Sequence, residues 1–212
     1  MQLSVIDELD YLRLGICEVK GLNRFTASQE FDSWVDDQLA VARAEVLTPQ
    51  WQSRREAVRG LLRRGGFKPS GRSKPAQEYL LRCLNDGNFP RINPAVDCLN
   101  VLSIRIGLPI SMLDKSRFPD ALRVRVGQPE EKYVFNSVGQ ELDLGGLITV
   151  CGGPGAVEPL GSPVKDSMAG KITETVSEIV CILYGPIEEI PKEWMDDWAF
   201  ELKHSIERFA IQ

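Results

Sequence analysis

The run from Asn88 to Ile110 limits the fold more than any other part of this 212-residue chain. Pro90 and Pro94 frame its start, and Gly107 and Pro109 close it. Proline fixes φ and gives up a backbone donor, so a helix accepts it in the first turn and hardly beyond. Asn93-Pro94 therefore predicts an N-cap followed by the first helical residue, and Gly107 predicts the stop. Val96, Leu99, Val101, Leu102 and Ile106 supply the apolar side of that helix. The same run holds Arg91, Asn93, Asp97, Asn100 and Ser103, more hydrogen-bonding side chains than a core helix needs. Two readings stay open. They form a network holding a turn, with Arg91 paired to Asp97 and Asn93 as the cap, or they border a ligand site.

Around this stretch the pattern changes twice. Leu12 to Leu22 alternates, as a half-buried strand does. Ser28 and Thr48-Pro49 then predict two helix starts, with stripes at Phe31, Trp34, Val35, Leu39 and Ala42, and at Trp51, Ala57, Val58, Leu61 and Leu62. Gly65-Gly66 ends the second, and Ser73-Lys74-Pro75 opens a third. Beyond Pro109, Leu122–Val126, Lys132–Phe135, Gly146–Cys151 and the continuous apolar run 179–184 read as strands. Gly152 to Gly161 reads as a surface loop. Ile190-Pro191 opens a last amphipathic helix, 191–210, whose docking stripe is Trp194, Trp198, Leu202, Ile206 and Phe209, with His204 on the surface. Strand, helices and then a block of strands predict an α+β fold: a mixed or antiparallel sheet core flanked by helices, in one domain over 1–212.

Charge is unevenly placed. Residues 50–91 hold ten basic and three acidic side chains, a local +7 in a chain whose net charge is −5. This is either a localised phosphate-binding face or a solvated helix surface offset by acids elsewhere in the fold. The odd, widely spaced Cys17, Cys83, Cys98, Cys151 and Cys181 read as buried thiols in a reducing, cytoplasmic setting. No apolar run reaches the roughly 18 residues a membrane helix needs, and the acidic N-terminus does not read as a signal peptide.

With one histidine, and that on a terminal helix, Ser-His-Asp and Cys-His catalysis are not expected. Gly152-Gly153-Pro154-Gly155 lacks the Gly-Lys-Ser/Thr ending of a P-loop. No metal or cofactor is expected. A second polar group, Ser162, Lys165, Asp166, Ser167, Lys171 and Thr173, sits on a Gly/Pro-framed segment and suits the grip of a ligand's polar end, or is a mobile polar loop.

Phe89-Pro-Arg-Ile-Asn-Pro-Ala-Val-Asp-Cys-Leu-Asn-Val, with Pro109 nine residues after Asn100, resembles the B3/B4 editing domain of the phenylalanyl-tRNA synthetase β chain. That family reads approximately Arg-Pro-Ile-Asn-x-x-Val-Asp-x-Thr-Asn, with a downstream Pro-x-His. The resemblance covers about 55–187 and takes in Ser73 to Cys83, Leu122-Arg-Val-Arg, Pro163-Val-Lys-Asp-Ser, Lys171-Ile-Thr and Tyr184-Gly-Pro. It implies a freestanding deacylase that hydrolyses the ester of mischarged aminoacyl-tRNA in trans, or a non-catalytic module on the same scaffold that binds tRNA or an amino acid.

The implied pocket is Asn93, Leu99, Asn100, Pro109, Ser111, Asp166, Ser167, Lys171 and Thr173, with Arg91 and Asp97 as its frame. The implied partner is the aminoacylated 3′ end of tRNA, contacted by Arg55, Arg59, Arg63, Arg64, Lys68, Arg72 and Lys74; DNA and membrane are not expected partners. The chain departs from the family pattern at Leu99, in place of threonine, at Ser111, in place of histidine, and at 182–184, where no acid stands. No residue is assigned as the catalytic base.

Overall fold

A computed structural model describes residues 3–212, the side chain of Arg72 excepted. Among these residues five α-helices are present: α1 (Gln29–Glu45), α2 (Pro49–Arg63), α3 (Ala76–Asn85), α4 (Pro94–Ile106) and α5 (Lys192–Ala210). The strands are β1 (Val5–Asp7), β2 (Leu12–Lys20), β3 (Ile110–Asp114), β4 (Leu122–Val126), β5 (Lys132–Val134), β6 (Glu141–Asp143), β7 (Ile148–Gly152), β8 (Glu158–Gly161) and β9 (Glu178–Pro186). They form one sheet in the order β1-β4-β7-β8, a second in the order β2-β9-β3, and the hairpin β5-β6. Among the described residues only β1–β4 pairs in parallel, so the architecture is the mixed α+β one.

The caps follow local chemistry. Ser28, Thr48 and Asn93 each accept from the backbone N–H three residues on, satisfying a donor the helix cannot. Gly107 ends α4 at φ 73°, a left-handed conformation that a Cβ disfavours.

Strand β9 organises the packing. Ile179, Cys181 and Leu183 point into a cluster with Phe31, Leu99, Leu102, Met195 and Ile206 from the helices. Val180, Ile182 and Tyr184 point the other way, against Leu122, Val124, Ile148, Val150 and Leu160. A strand buried on both faces shows no alternation, which is why 179–184 reads as unbroken apolar sequence. The result is three layers: helices, the β2-β9-β3 sheet, and the β1-β4-β7-β8 sheet.

Two expectations need correction. Within Gly152–Gly161, β8 pairs with β7 as an edge strand, with a register shift at Val150/Cys151. An edge tolerates Pro159 because one side of it has no ladder to complete. On α5 the buried stripe is Met195, Ala199, Leu202, Ile206 and Phe209; Trp194 is 47% exposed and stacks outside, 5.9 Å from Trp198. The strands β1, β3 and β6 have no counterpart among the sequence expectations. Cys17, Cys83, Cys98, Cys151 and Cys181 are buried free thiols. Among the described residues no helix is long and apolar enough to cross a membrane.

Candidate functional site

The end of α4 sets the start of β3. The Ser103 hydroxyl donates to the Leu108 carbonyl (2.6 Å) across the Gly107 turn, and Tyr184 N donates to the Pro109 carbonyl (3.1 Å). Ser111 then stands opposite Ile182. Strand alternation puts its side chain on the face shared by Ile182 and Tyr184, between the two sheets.

Three side chains meet there. The Ser111 hydroxyl, fully buried, donates to Asp166 Oδ1 (2.6 Å) and accepts from the Tyr184 hydroxyl (2.8 Å). Asp166 Oδ2 accepts from Met112 N (3.2 Å), and Oδ1 accepts a longer bond from Ser162 N (3.4 Å). Next to them the Tyr133 hydroxyl donates to Ser162 Oγ (2.9 Å), which donates to the Lys165 carbonyl (2.8 Å). Gly161 makes room for this: a Cβ there would lie 2.9 Å from Asp166 Oδ1 and 3.0 Å from Leu113 Cδ1. Gly161→Ala should therefore displace the carboxylate and cost roughly 1–3 kcal/mol, the usual range for overpacking, read as a lower midpoint in thermal unfolding.

The electrostatics follow from burial. Burial pushes the Asp166 carboxyl up to about 6; the Ser111, Met112 and Ser162 donors and nearby Lys171 oppose the shift. Burial also pushes the Tyr184 and Tyr133 phenols up, so both stay protonated donors at neutral pH. A carboxyl titrating near neutrality, held by a buried hydroxyl, is suited to accept a proton in the physiological range.

Beside this cluster a cleft of about 240 Å³ is lined by Ser73, Phe135, Gln140, Glu141, Leu142 and Lys165. The Lys165 ammonium lies 3.8 Å from the Phe135 ring centroid. Lys171 donates to the Phe135 carbonyl (2.6 Å).

Residues 68–184, which contain this whole constellation, match the model of the B3/4 domain. The chain belongs to the B3/4 domain family. It is also similar to the phenylalanine–tRNA ligase beta subunit of Syntrophotalea carbinolica, with 30% identity over 111 residues, 51% of this chain and 13% of that protein. The chain thus spans a small part of the curated relative. Among solved structures it is similar to an N-terminal fragment of the phenylalanyl-tRNA synthetase beta subunit from Pyrococcus horikoshii. The TM-score is 0.48 at 12% identity, covering 97% of this chain and 49% of that one.

Within this B3/4 domain Ser111 and Asp166 are bonded, Lys171 lies near enough for its charge to act on Asp166, and Pro109 accepts from Tyr184 N just before β3. Ser167 is buried beside them, its hydroxyl accepting from Ala169 N (3.1 Å). Thr173 is exposed and bonded to Thr175. Leu99 packs in the helix-side cluster, across the sheet from Ser111. Asn93 caps α4, and Asn100 is partly buried on that helix. Arg91 Nε donates to Asp97 Oδ2 (3.2 Å) and its Nη2 pairs with Asp32, while Asp97 Oδ1 accepts from Ile92 N (2.8 Å).

Of the basic set, Arg55 and Arg59 face Glu78, and Arg64 pairs with Glu188 over the Tyr11 ring. Arg63, Lys68 and Lys74 are exposed. The Arg72 side chain lies outside what is described.

Sequence reasoning did not pick out Tyr133 or Tyr184 for the site. The available signal was a tyrosine within an otherwise apolar strand, whose hydroxyl needs a partner once buried.

Proposed function

We propose that this B3/4 domain hydrolyses the ester of mischarged aminoacyl-tRNA, acting apart from the synthetase. The observation that carries the reading is the Ser111–Asp166 contact inside the family-matched stretch, with the Asp166 carboxyl pushed up to about 6. The relative's identity as a phenylalanine–tRNA ligase subunit supplies the tRNA-related role.

In this mechanism water attacks the ester carbonyl. Asp166 takes a proton from the water as the C–O bond forms and returns it to the ester oxygen as that C–O bond breaks, so the oxygen leaves as the ribose hydroxyl and amino acid and tRNA are released. Ser111 positions the carboxylate, and Tyr184 orients Ser111. Lys171 lies where its charge favours the ionised Asp166. The neighbouring ribose hydroxyl of the substrate assists by holding the water or the leaving oxygen. The test is release of amino acid from a panel of mischarged tRNAs. Acceleration with at least one of them is expected; spontaneous rates with all of them would remove the enzyme reading.

A second reading, binding without turnover, is favoured by one observation: both Asp166 oxygens already accept hydrogen bonds within the protein. It predicts saturable tRNA binding with no product. Arg59, Arg63 and Arg64 changed together to glutamate should then abolish that binding and flatten its salt dependence; affinity that survives would mark α2 as a solvated face.

A further inference from the structure

The α2–α3 surface holds an exposed aromatic ring, Tyr79, beside the Arg82 guanidinium and outside the polar cluster described above. Glu78, on the first turn of α3, is nearly buried and accepts from Arg59 in two bonds (2.5 and 2.7 Å), with Arg55 Nη2 at 3.7 Å. Glu78 thus meets two guanidiniums and Glu56 also acts on Arg59, so the helix contact itself is close to neutral and the unoffset positive charge lies at its border. Arg63 continues the Arg55–Arg59 line on α2 at the same four-residue spacing and is exposed. Lys74, just before α3, is exposed as well.

The next residue after Glu78 is Tyr79, 53% exposed, with the Arg82 guanidinium 5.4 Å from its ring centroid. A tyrosine this open contributes little to the core. It presents a flat π-face beside the Arg82 guanidinium, with its hydroxyl engaged by Cys83, amid more positive charge than the local acids offset.

We propose that Tyr79 is a stacking platform for an unpaired nucleotide base, with Arg55, Arg59, Arg63, Lys74 and Arg82 tracking the flanking phosphates. The ligand class is single-stranded nucleic acid, because stacking needs an unstacked base and the charges need a flexible backbone that can follow them. The inference rests on the tRNA reading above, under which the occupant is the unpaired 3′ end of the tRNA. It adds an aromatic contact to what was only a charge distribution.

The test is fluorescence anisotropy of the full chain with a labelled single-stranded RNA of the tRNA 3′ sequence, a DNA oligomer of the same sequence, and an RNA duplex. Tyr79→Ala should weaken single-strand binding roughly tenfold, and Tyr79→Phe should retain it. Arg63→Gln with Lys74→Gln should reduce the slope of log affinity against log salt by about 1.4, close to 0.7 for each lost phosphate contact. The duplex should bind without dependence on Tyr79. Tyr79 and both charged positions are exposed, so an unchanged unfolding midpoint separates lost contact from lost fold.

Equal binding by wild type and Tyr79→Ala, or equal dependence on Tyr79 for duplex and single strand, would overturn the platform. Stronger, Tyr79-dependent binding of the DNA oligomer would keep the platform and remove the tRNA end as its occupant. Tyrosine-dependent RNA binding with no release of amino acid from any mischarged tRNA would support the platform and reject the deacylase. Release that proceeds normally with Tyr79→Ala and with unchanged oligomer affinity would do the reverse.

Discussion

Asp166→Asn should reduce amino-acid release by a hundredfold or more, the low end of what a positioned general base contributes. In the unmodified protein the rate should rise as pH passes through about 6, where the carboxyl loses its proton, and this rise should vanish in the variant. Stability moves in the opposite sense. The folded-state pKa is raised above the ordinary 3.8, so the folded chain holds this proton more tightly than the unfolded one. That contribution is fully present below about pH 4 and is lost as pH rises through about 6. Between pH 8 and pH 5 the wild type should gain on the order of 1 kcal/mol relative to Asp166→Asn, or a few degrees in midpoint for a chain of this size. Thermal unfolding at both pH values, with both proteins, measures it. A variant that loses neither the pH-dependent rate nor the pH-dependent stability would show that Asp166 does not titrate in this range.

Asp97→Ala should lower stability by about 3 kcal/mol, which at this chain length corresponds to a midpoint roughly 6–12 °C lower. Asp97 is 1% exposed, accepts from Ile92 N and Arg91 Nε, and sits in the first turn of α4. Burial raises its pKa despite Arg91 and the backbone donors, so the charge itself is not where the stability comes from. The loss comes from the orphaned Ile92 N–H and from an Arg91 left with Asp32 alone. Asp97→Asn retains an acceptor for Ile92 and should lose clearly less. Equal losses for the two variants in thermal unfolding would place the effect in the charge instead.

The helices were legible because each carries its start and stop in adjacent residues. Asn93-Pro94, Thr48-Pro49 and Gly107 act through local backbone chemistry that needs no distant partner. Strand β9 was legible because burial on both faces leaves an unmixed apolar run. Strands β3 and β8 were not. β3 follows Pro109 directly, and β8 contains Pro159 and ends at Gly161, so both look like loop until the sheet supplies their hydrogen bonds. Ser111 illustrates the consequence for the site. It was singled out through the B3/B4 resemblance, and its chemistry depends on the register that puts it opposite Ile182 and on the face of Tyr184.

Sequence by itself determined the α+β class, the capped central helix, the buried thiols and the family pattern from Phe89 to Val101. All of these are written in residues close together along the chain. Only the tertiary structure decided that Leu99 and Ser111 lie on opposite sides of one sheet, and that Ser111 meets Asp166 and Tyr184 across separations of 55 and 73 residues. Strand pairing and layer stacking set those meetings, and neither leaves a local signal. The raised pKa of Asp166 belongs to the same category, since it arises from how much water the two sheets exclude from around that carboxyl.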